Sequence, residues 1–232
     1  MMMRNRFDRQ LEDLNDMLIQ MGSMCEDCIS NVSLALAGDR SESVKSHITG
    51  MNERLMERVY TTDSGIDQME RDIEALCLKL LLQQQPVARD LRLISSALKM
   101  ISDMERIGDQ CSDIADIVKV LDKTNIRELE SSVHIQDMAT ATMKMVTRAV
   151  DSFVSKDLVA ARGVSAADDN VDELFDKVKA EISSLISQYP EKGNGLLDML
   201  MIANYFERIG DHATNIAEWV EFSITGEHVK MN

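Results

Sequence analysis

Glu105 and Asp109 open and close the pentapeptide ERIGD, and Glu207 and Asp211 open and close a second copy 102 residues later. Acids four residues apart share one face of a helix, and such a like-charge pair costs the helix about 0.2–0.5 kcal/mol. A bound cation removes that cost. Clusters built only from carboxylates suit hard or borderline ions such as iron(III), manganese, magnesium or calcium.

The surroundings extend the pattern. With Ile101 placed at zero and about 100° per residue, Ile94, Ala97, Met104, Gly108, Cys111 and Ala115 fall on one apolar face. Glu105, Asp116, Asp109 and Asp113 form a strip on one shoulder of that face, while Arg106 points toward solvent. In the second copy Glu207, Asp211, Asn215 and Glu218 take the same places. The helix before the first copy carries Asp63, Asp67, Glu70 and Glu74, and the one before the second carries Asp168, Asp172 and Asp176. Two facing acid rows would make a multidentate metal site in each half. Glu105, Asp109, Glu207 and Asp211 are its expected core, with Asp67 and Asp172 from the adjoining helices and Asp113 and Asn215 nearby.

The plainer reading is a solvated acidic face, with Arg106 pairing to Asp103 or Asp109 and Arg208 to Asp211. Repetition weighs against it. Residues 207–220 match residues 105–118 at eight of fourteen positions and keep ERIGD whole. Gly108 and Gly210 also need a reason, because Gly inside a helix costs about 1 kcal/mol. A close approach of another helix beside the site is the expected one.

The elements that position these residues are helices. The 232 residues hold only 10 Gly, 2 Pro and 4% aromatics, and Leu, Met, Ala, Glu, Lys and Arg dominate. Helical periodicity runs over residues 5–37, and from about 52 to 82 with a soft spot at 61–65. A third helix begins at Pro86 and reaches about 121. The stretch 39–51 carries no clear pattern, and DKTN at 122–125 reads as a turn. The plan then restarts, with helices over about 127–154, 157–188 and 196–223, a turn at SKD (155–157) and a loop at YPEKGNG (189–195). Asp63, Ile66 and Asp67 also echo in Asp168, Val171 and Asp172, at an offset of 105. The expectation is an all-α chain of six helices, a duplicated three-helix unit, with domains at 1–122 and 123–232 and the motifs related by two-fold or translational symmetry.

Composition excludes several classes. The net charge of −15 disfavours nucleic acid and anionic lipid and favours cations or basic protein patches. No run of 18 apolar residues occurs, and the first ten residues do not read as a signal peptide. Cys25, Cys28, Cys77 and Cys111 lie within helical patterns, and Cys25-x-x-Cys28 reads as ordinary helix cysteines in a reducing compartment. The four histidines are scattered and none follows a Glu by three residues, so the Glu-x-x-His signature of di-iron bundles is missing. No nucleophile–base pair, Gly-rich phosphate loop or zinc signature appears.

The stretches QQQPVARDLRLISSALKMISDMERIGD (83–109) and FERIGDHATNIAEWVEF (206–222) resemble the PhoU family of phosphate-transport regulatory proteins. Its E(D)xxxD signature, one per three-helix bundle, is met by Glu105 with Asp109 and by Glu207 with Asp211. The resemblance implies two three-helix bundles side by side and a multinuclear metal site on each, with iron or zinc first and manganese or magnesium next. It further implies a cytoplasmic negative regulator of phosphate uptake and of the phosphate-starvation response. The implied partners are the ATPase subunit of the phosphate ABC transporter and a sensor histidine kinase, with a homodimer expected and membrane attachment only through protein partners. Two departures stand out: about a dozen extra residues between Gly38 and Asp63, and Phe175 and Lys179 where the first unit has Glu70 and Glu74. A regulatory adaptor is therefore the leading expectation. A metal-dependent enzyme, an oxidase or hydrolase on a helical bundle, is the alternative.

Overall fold

The computed structural model describes residues 2–37, 45–84, 86–121, 126, 129 and 133–227, with backbone alone at 2–6, 45–51 and 84. Among them are six long helices and no strand. These are α1 (Met2–Ala37), α2 (Lys45–Gln84), α3 (Ala88–Leu121), α4 (Ile135–Ser155), α5 (Leu158–Gln188) and α6 (Gly193–Thr225). Helices α1–α3 pack into one bundle and α4–α6 into a second, and the two lie side by side through α3 against α6 and α1 against α4. The apolar stripes of all six meet in one continuous core, with Leu14, Ile66, Met104, Val171, Phe206 and Ile216 fully enclosed.

Local chemistry sets the boundaries. At SKD, Lys156 adopts the left-handed conformation (φ 54°), its N–H bonding back to Phe153. Asp157 then caps α5, its carboxylate accepting from Val159 N (2.9 Å) and Ala160 N (3.0 Å). Gly226, at φ 80°, ends α6.

Three expected boundaries move. α2 begins at Lys45, seven residues before the expected Asn52, and runs unbroken through 61–65. Gly65 there is a packing glycine, since a Cβ on it would stand 2.5 Å from Met24 Cε. α4 begins at Ile135, after a bend at Val133 and a turn at His134, whose N–H is given to Glu181 Oε2 (3.1 Å), and the expected start at 127 lies outside the described residues. The expected loop at 189–195 is a single 3-10 turn over Pro190–Lys192, after which Gly193 already starts α6. Pro190 fixes the first residue of that turn. Of the unassigned stretch 39–51, residues 39–44 lie outside the described residues, as does the DKTN turn, and residues 45–51 belong to α2.

The seam between bundles is reciprocal. Asp103 on α3 accepts from Asn215 Nδ2 (3.1 Å) and meets His212 Nδ1 (3.0 Å) on α6. The counterpart of Asp103 is Tyr205, and the counterpart of Asn215 is Asp113. Burial, then the charge and a hydrogen bond of Asp113, push the Tyr205 phenol upward. Contacts that exchange partners this way, antiparallel along α3 and α6, are those of a two-fold interface. At the other seam Gly22 lies against Val150, and Ser33 and Gln136 exchange two hydrogen bonds of 2.8 and 3.0 Å.

Candidate functional site

Each ERIGD motif sits where the last helix of its bundle runs antiparallel to the middle one. In the first bundle Ser112 of α3 donates to Asp63 Oδ2 of α2 (2.7 Å), and about three turns back Ser102 donates to Glu70 Oε1 (3.3 Å). Asp67 lies between these links, and its charge reaches Glu105, as do those of Asp109 and Glu70. Asp63, Asp67, Glu70, Glu105 and Asp109 thus form one carboxylate face. Glu74, the last acid of the α2 row, acts instead on the buried Cys77.

The motif glycine explains how α2 comes so close. A Cβ on Gly108 would stand 2.5 Å from Asp63 Oδ1 and 3.1 Å from Ile66 Cδ1. The approaching group is the carboxylate itself, laid across the bare backbone of α3. Asp63 Oδ1 is buried there and has no hydrogen-bond partner. The second bundle repeats the arrangement: a Cβ on Gly210 would meet Asp168 Oδ1 at 3.1 Å and Val171 Cγ1 at 3.5 Å. Thr214 replaces Ser112 and lowers the Asp168 carboxyl in part, but its hydroxyl does not make the short bond that Ser112 makes.

The electrostatics follow from that packing. Burial pushes Asp63 up, and the charges of Asp109, Asp67 and Asp113 add to the rise while Ser112 opposes it. Burial also raises Glu105, with Asp109 adding to the rise and Arg106 opposing it. In the second bundle burial and then the Asp211 and Asp172 charges push Asp168 up to about 6. Glu207 and Asp211 rise for the same reasons. Desolvated carboxyls that raise one another's proton affinity are what a cation relieves.

Not every expected residue faces these clusters equally. Glu105 lies within reach of the Asp109 and Asp67 charges in one, and Glu207 within reach of the Asp211 and Asp172 charges in the other. Asp113 stands between the first cluster and the bundle seam, acting on both Asp63 and Tyr205. Asn215 is turned to Asp103 across the seam, and Asp116 accepts from Tyr60 (2.6 Å). Asp63 and Asp168 were legible as row acids but not as members of the expected site. The signal that marks them is the glycine opposite. The solvated-face chemistry is also present, since Arg106 contacts Asp109 at 2.9 Å and Glu105 at 3.4 Å. Among the described residues no three His, Cys, Asp or Glu side chains already converge on one point. The donor set, a buried partnerless carboxylate oxygen beside four further carboxylates, fits a hard cation.

The cysteines are not part of this chemistry. All four are buried and free, and Cys25 and Cys28 point their thiols at the Met104 and Val59 carbonyls. Burial, helped by the Asp63 charge, pushes Cys28 up to about 12, so it is a neutral core thiol. No helix among the described residues is long and apolar enough to cross a membrane.

Comparison with known proteins places this geometry. The family model described as "PhoU domain" matches residues 18–118 and 135–220. The chain is 33% identical to the phosphate-specific transport system accessory protein PhoU homolog of Clostridium acetobutylicum, over 100% of both chains. It is 32% identical to the homolog of that name from Pseudomonas aeruginosa, over 97% of this chain and 88% of that one. Its fold matches the crystal structure of PhoU from Pseudomonas aeruginosa with a TM-score of 0.80 and 31% identity, covering 95% of this chain and 100% of that one. It also matches the phosphate transport system regulatory protein PhoU from Streptococcus pneumoniae, with a TM-score of 0.81 and 25% identity over 97% and 100% of the two chains.

Proposed function

This chain belongs to the PhoU domain family, and from that premise we propose that it is a metal-binding accessory regulator of phosphate uptake and of the phosphate-starvation response. It acts in the cytoplasm, through protein partners, as a negative regulator and not as an enzyme. The observation that carries this reading is the repeated pairing of a motif glycine with a carboxylate from the neighbouring helix, Gly108 with Asp63 and Gly210 with Asp168. That pairing places desolvated acids beside each family motif in both halves. Residues Asp63, Asp67, Glu105 and Asp109 would hold one metal centre, and Asp168, Asp172, Glu207 and Asp211 the other. Oxygen-only donors favour iron, manganese or magnesium, and zinc, with its preference for nitrogen and sulfur, fits less well.

A bound cation supplies positive charge where these carboxylates repel one another. The carboxylates in turn fix the register of α2 on α3 and of α5 on α6, so each centre ties its bundle into a defined surface. The proposed partners are the ATPase subunit of a phosphate ABC transporter and a sensor histidine kinase, with a second copy of the chain completing a homodimer. The charge of −15 suits a basic patch on such a partner, with association that weakens in salt.

The test is phosphate uptake and starvation-gene expression in cells lacking the protein, then in cells carrying E105Q/D109N/E207Q/D211N. Derepressed uptake and expression in both strains are expected, with the variant still folded. Unchanged uptake and expression in the deletion strain would refute the regulatory role. Catalytic turnover by the purified metal-loaded protein would refute the adaptor reading.

A further inference from the structure

Away from the acid faces, a groove runs between α4 and α5. Two cavities of about 380 and 530 Å³ meet along it, and both are lined by Lys144 and Arg148. These cations lie one turn apart on α4 and are exposed, and among the described residues neither makes an ion pair. Arg148 is also seated. Its Nη1 donates to the Gly163 carbonyl of α5 (3.3 Å), and a Cβ on Gly163 would collide with the guanidinium. Gly163 therefore keeps open the place where Arg148 lies across α5, and among the described residues the other guanidinium N–H groups make no hydrogen bond.

The larger cavity has two ends and a floor. Lys144 and Arg148 supply hydrogen-bond donors at one end. Asp137, two turns before Lys144 on α4, supplies an acceptor at the other. Between them the floor is largely apolar, formed by Ala141, Ala167 and Leu174 with Thr140 and Asn170 beside them. The volume lies within the range of sites that hold cofactor-sized molecules. In the smaller cavity Ser155 and Thr147 already donate to carbonyls of their own helix, and Asp157 is committed to capping α5, so the free donors gather at the cation pair.

We propose that the α4–α5 groove binds a phosphorylated organic molecule of nucleotide size, its phosphate held by Lys144 and Arg148 and its ring lying over Ala141 and Leu174 toward Asp137. A guanidinium and an ammonium on one side form charge-assisted bonds to phosphate oxygens. The apolar floor separates an organic phosphate from the free ion, and Asp137 accepts from a ring amine or sugar hydroxyl.

The test is isothermal titration of the full-length protein in chelator with ADP, adenosine and inorganic phosphate as probes. Saturable ADP binding is expected, at least tenfold tighter than inorganic phosphate, with no detectable binding of adenosine. K144Q/R148Q should lose ADP binding at least tenfold while melting like the wild type, since both residues are exposed. G163A removes no charge, but its methyl displaces Arg148, so it should weaken ADP several-fold without lowering the melting temperature. No saturable binding of ADP overturns the proposal. So does ADP binding that K144Q/R148Q leaves intact, or inorganic phosphate binding as tightly as ADP.

Discussion

The two motif glycines are identical in sequence yet differ in what stands over them, and Ala substitution reads that difference. In either helix Gly→Ala gains about 1 kcal/mol of helix propensity. At 108 the new methyl would stand 2.5 Å from Asp63 Oδ1 and 3.1 Å from Ile66 Cδ1. Neither group yields freely, because Ser112 holds the other Asp63 oxygen at 2.7 Å and Ile66 is fully buried. Overpacking of this kind costs about 1–3 kcal/mol, so the net effect at 108 is a loss of roughly 1 kcal/mol. At 210 the nearest atom is Asp168 Oδ1 at 3.1 Å, and Val171 and Met145 stand at ordinary contact distance. The propensity gain then offsets a small shift of one carboxylate, and the net effect lies near zero or slightly favourable. For a chain of this size 1 kcal/mol moves Tm by about 2–4 °C. Thermal melts of the metal-free variants should therefore show Gly108→Ala below wild type and Gly210→Ala at or above it. If Gly108→Ala melts at or above wild type, the carboxylate is not pinned against α3 as described.

Asp168, raised to about 6, has an unfolded value near 4, so the folded chain binds the extra proton between those values. Its contribution to stability is greatest below about pH 4 and falls as pH rises through 6 in metal-free protein. Melts from pH 4 to 7 should show this slope weakened in Asp168→Asn, and an identical slope in both proteins would disprove it. Manganese should in turn raise Tm more at pH 7 than at pH 5, because protons and the cation compete for these carboxylates; an equal rise at both would contradict this. Arg162 bonds Glu221, a carboxylate only 2% exposed, through Nη2 and Nε at 2.6 and 3.1 Å. Arg162→Ala leaves that carboxylate buried and unpaired and should lower Tm more than Glu221→Gln, whose amide is neutral; the reverse order in melts would count against it. Asp103→Ala removes two bonds across the α3–α6 seam and should cost about 1–3 kcal/mol by urea titration, and an unchanged midpoint would show the seam is held elsewhere.

Helical periodicity and the 102-residue repeat make the six helices, the duplication and the acid shoulders legible from sequence. Those features depend on spacing along one helix. What spacing cannot give is partnership between helices. Asn215 aligns with Asp113, yet it bonds Asp103, a residue 112 positions away in the chain. Asp63 and Asp168 read as two acids among many until the bare backbone of Gly108 and Gly210 is set opposite them. The glycines pointed to a close approach, but nothing in the sequence named a carboxylate as the group that approaches. The loop expected at 189–195 failed for a local reason. Its Gly and Asn residues signal a turn, but Gly193 adopts right-handed helical angles (φ −52°, ψ −42°) and starts α6 at once. The groove between α4 and α5 was not legible at all, because Arg148 and Gly163 meet only through tertiary packing.

The claim that the duplicated carboxylate faces are metal centres is tested most directly by elemental analysis. Wild type and E105Q/D109N/E207Q/D211N would be purified without chelator and measured for iron, manganese, magnesium and zinc per chain. Wild type should carry metal in both halves, and the variant should lose it while keeping its helical circular dichroism. Equal metal in the two proteins would contradict the assignment.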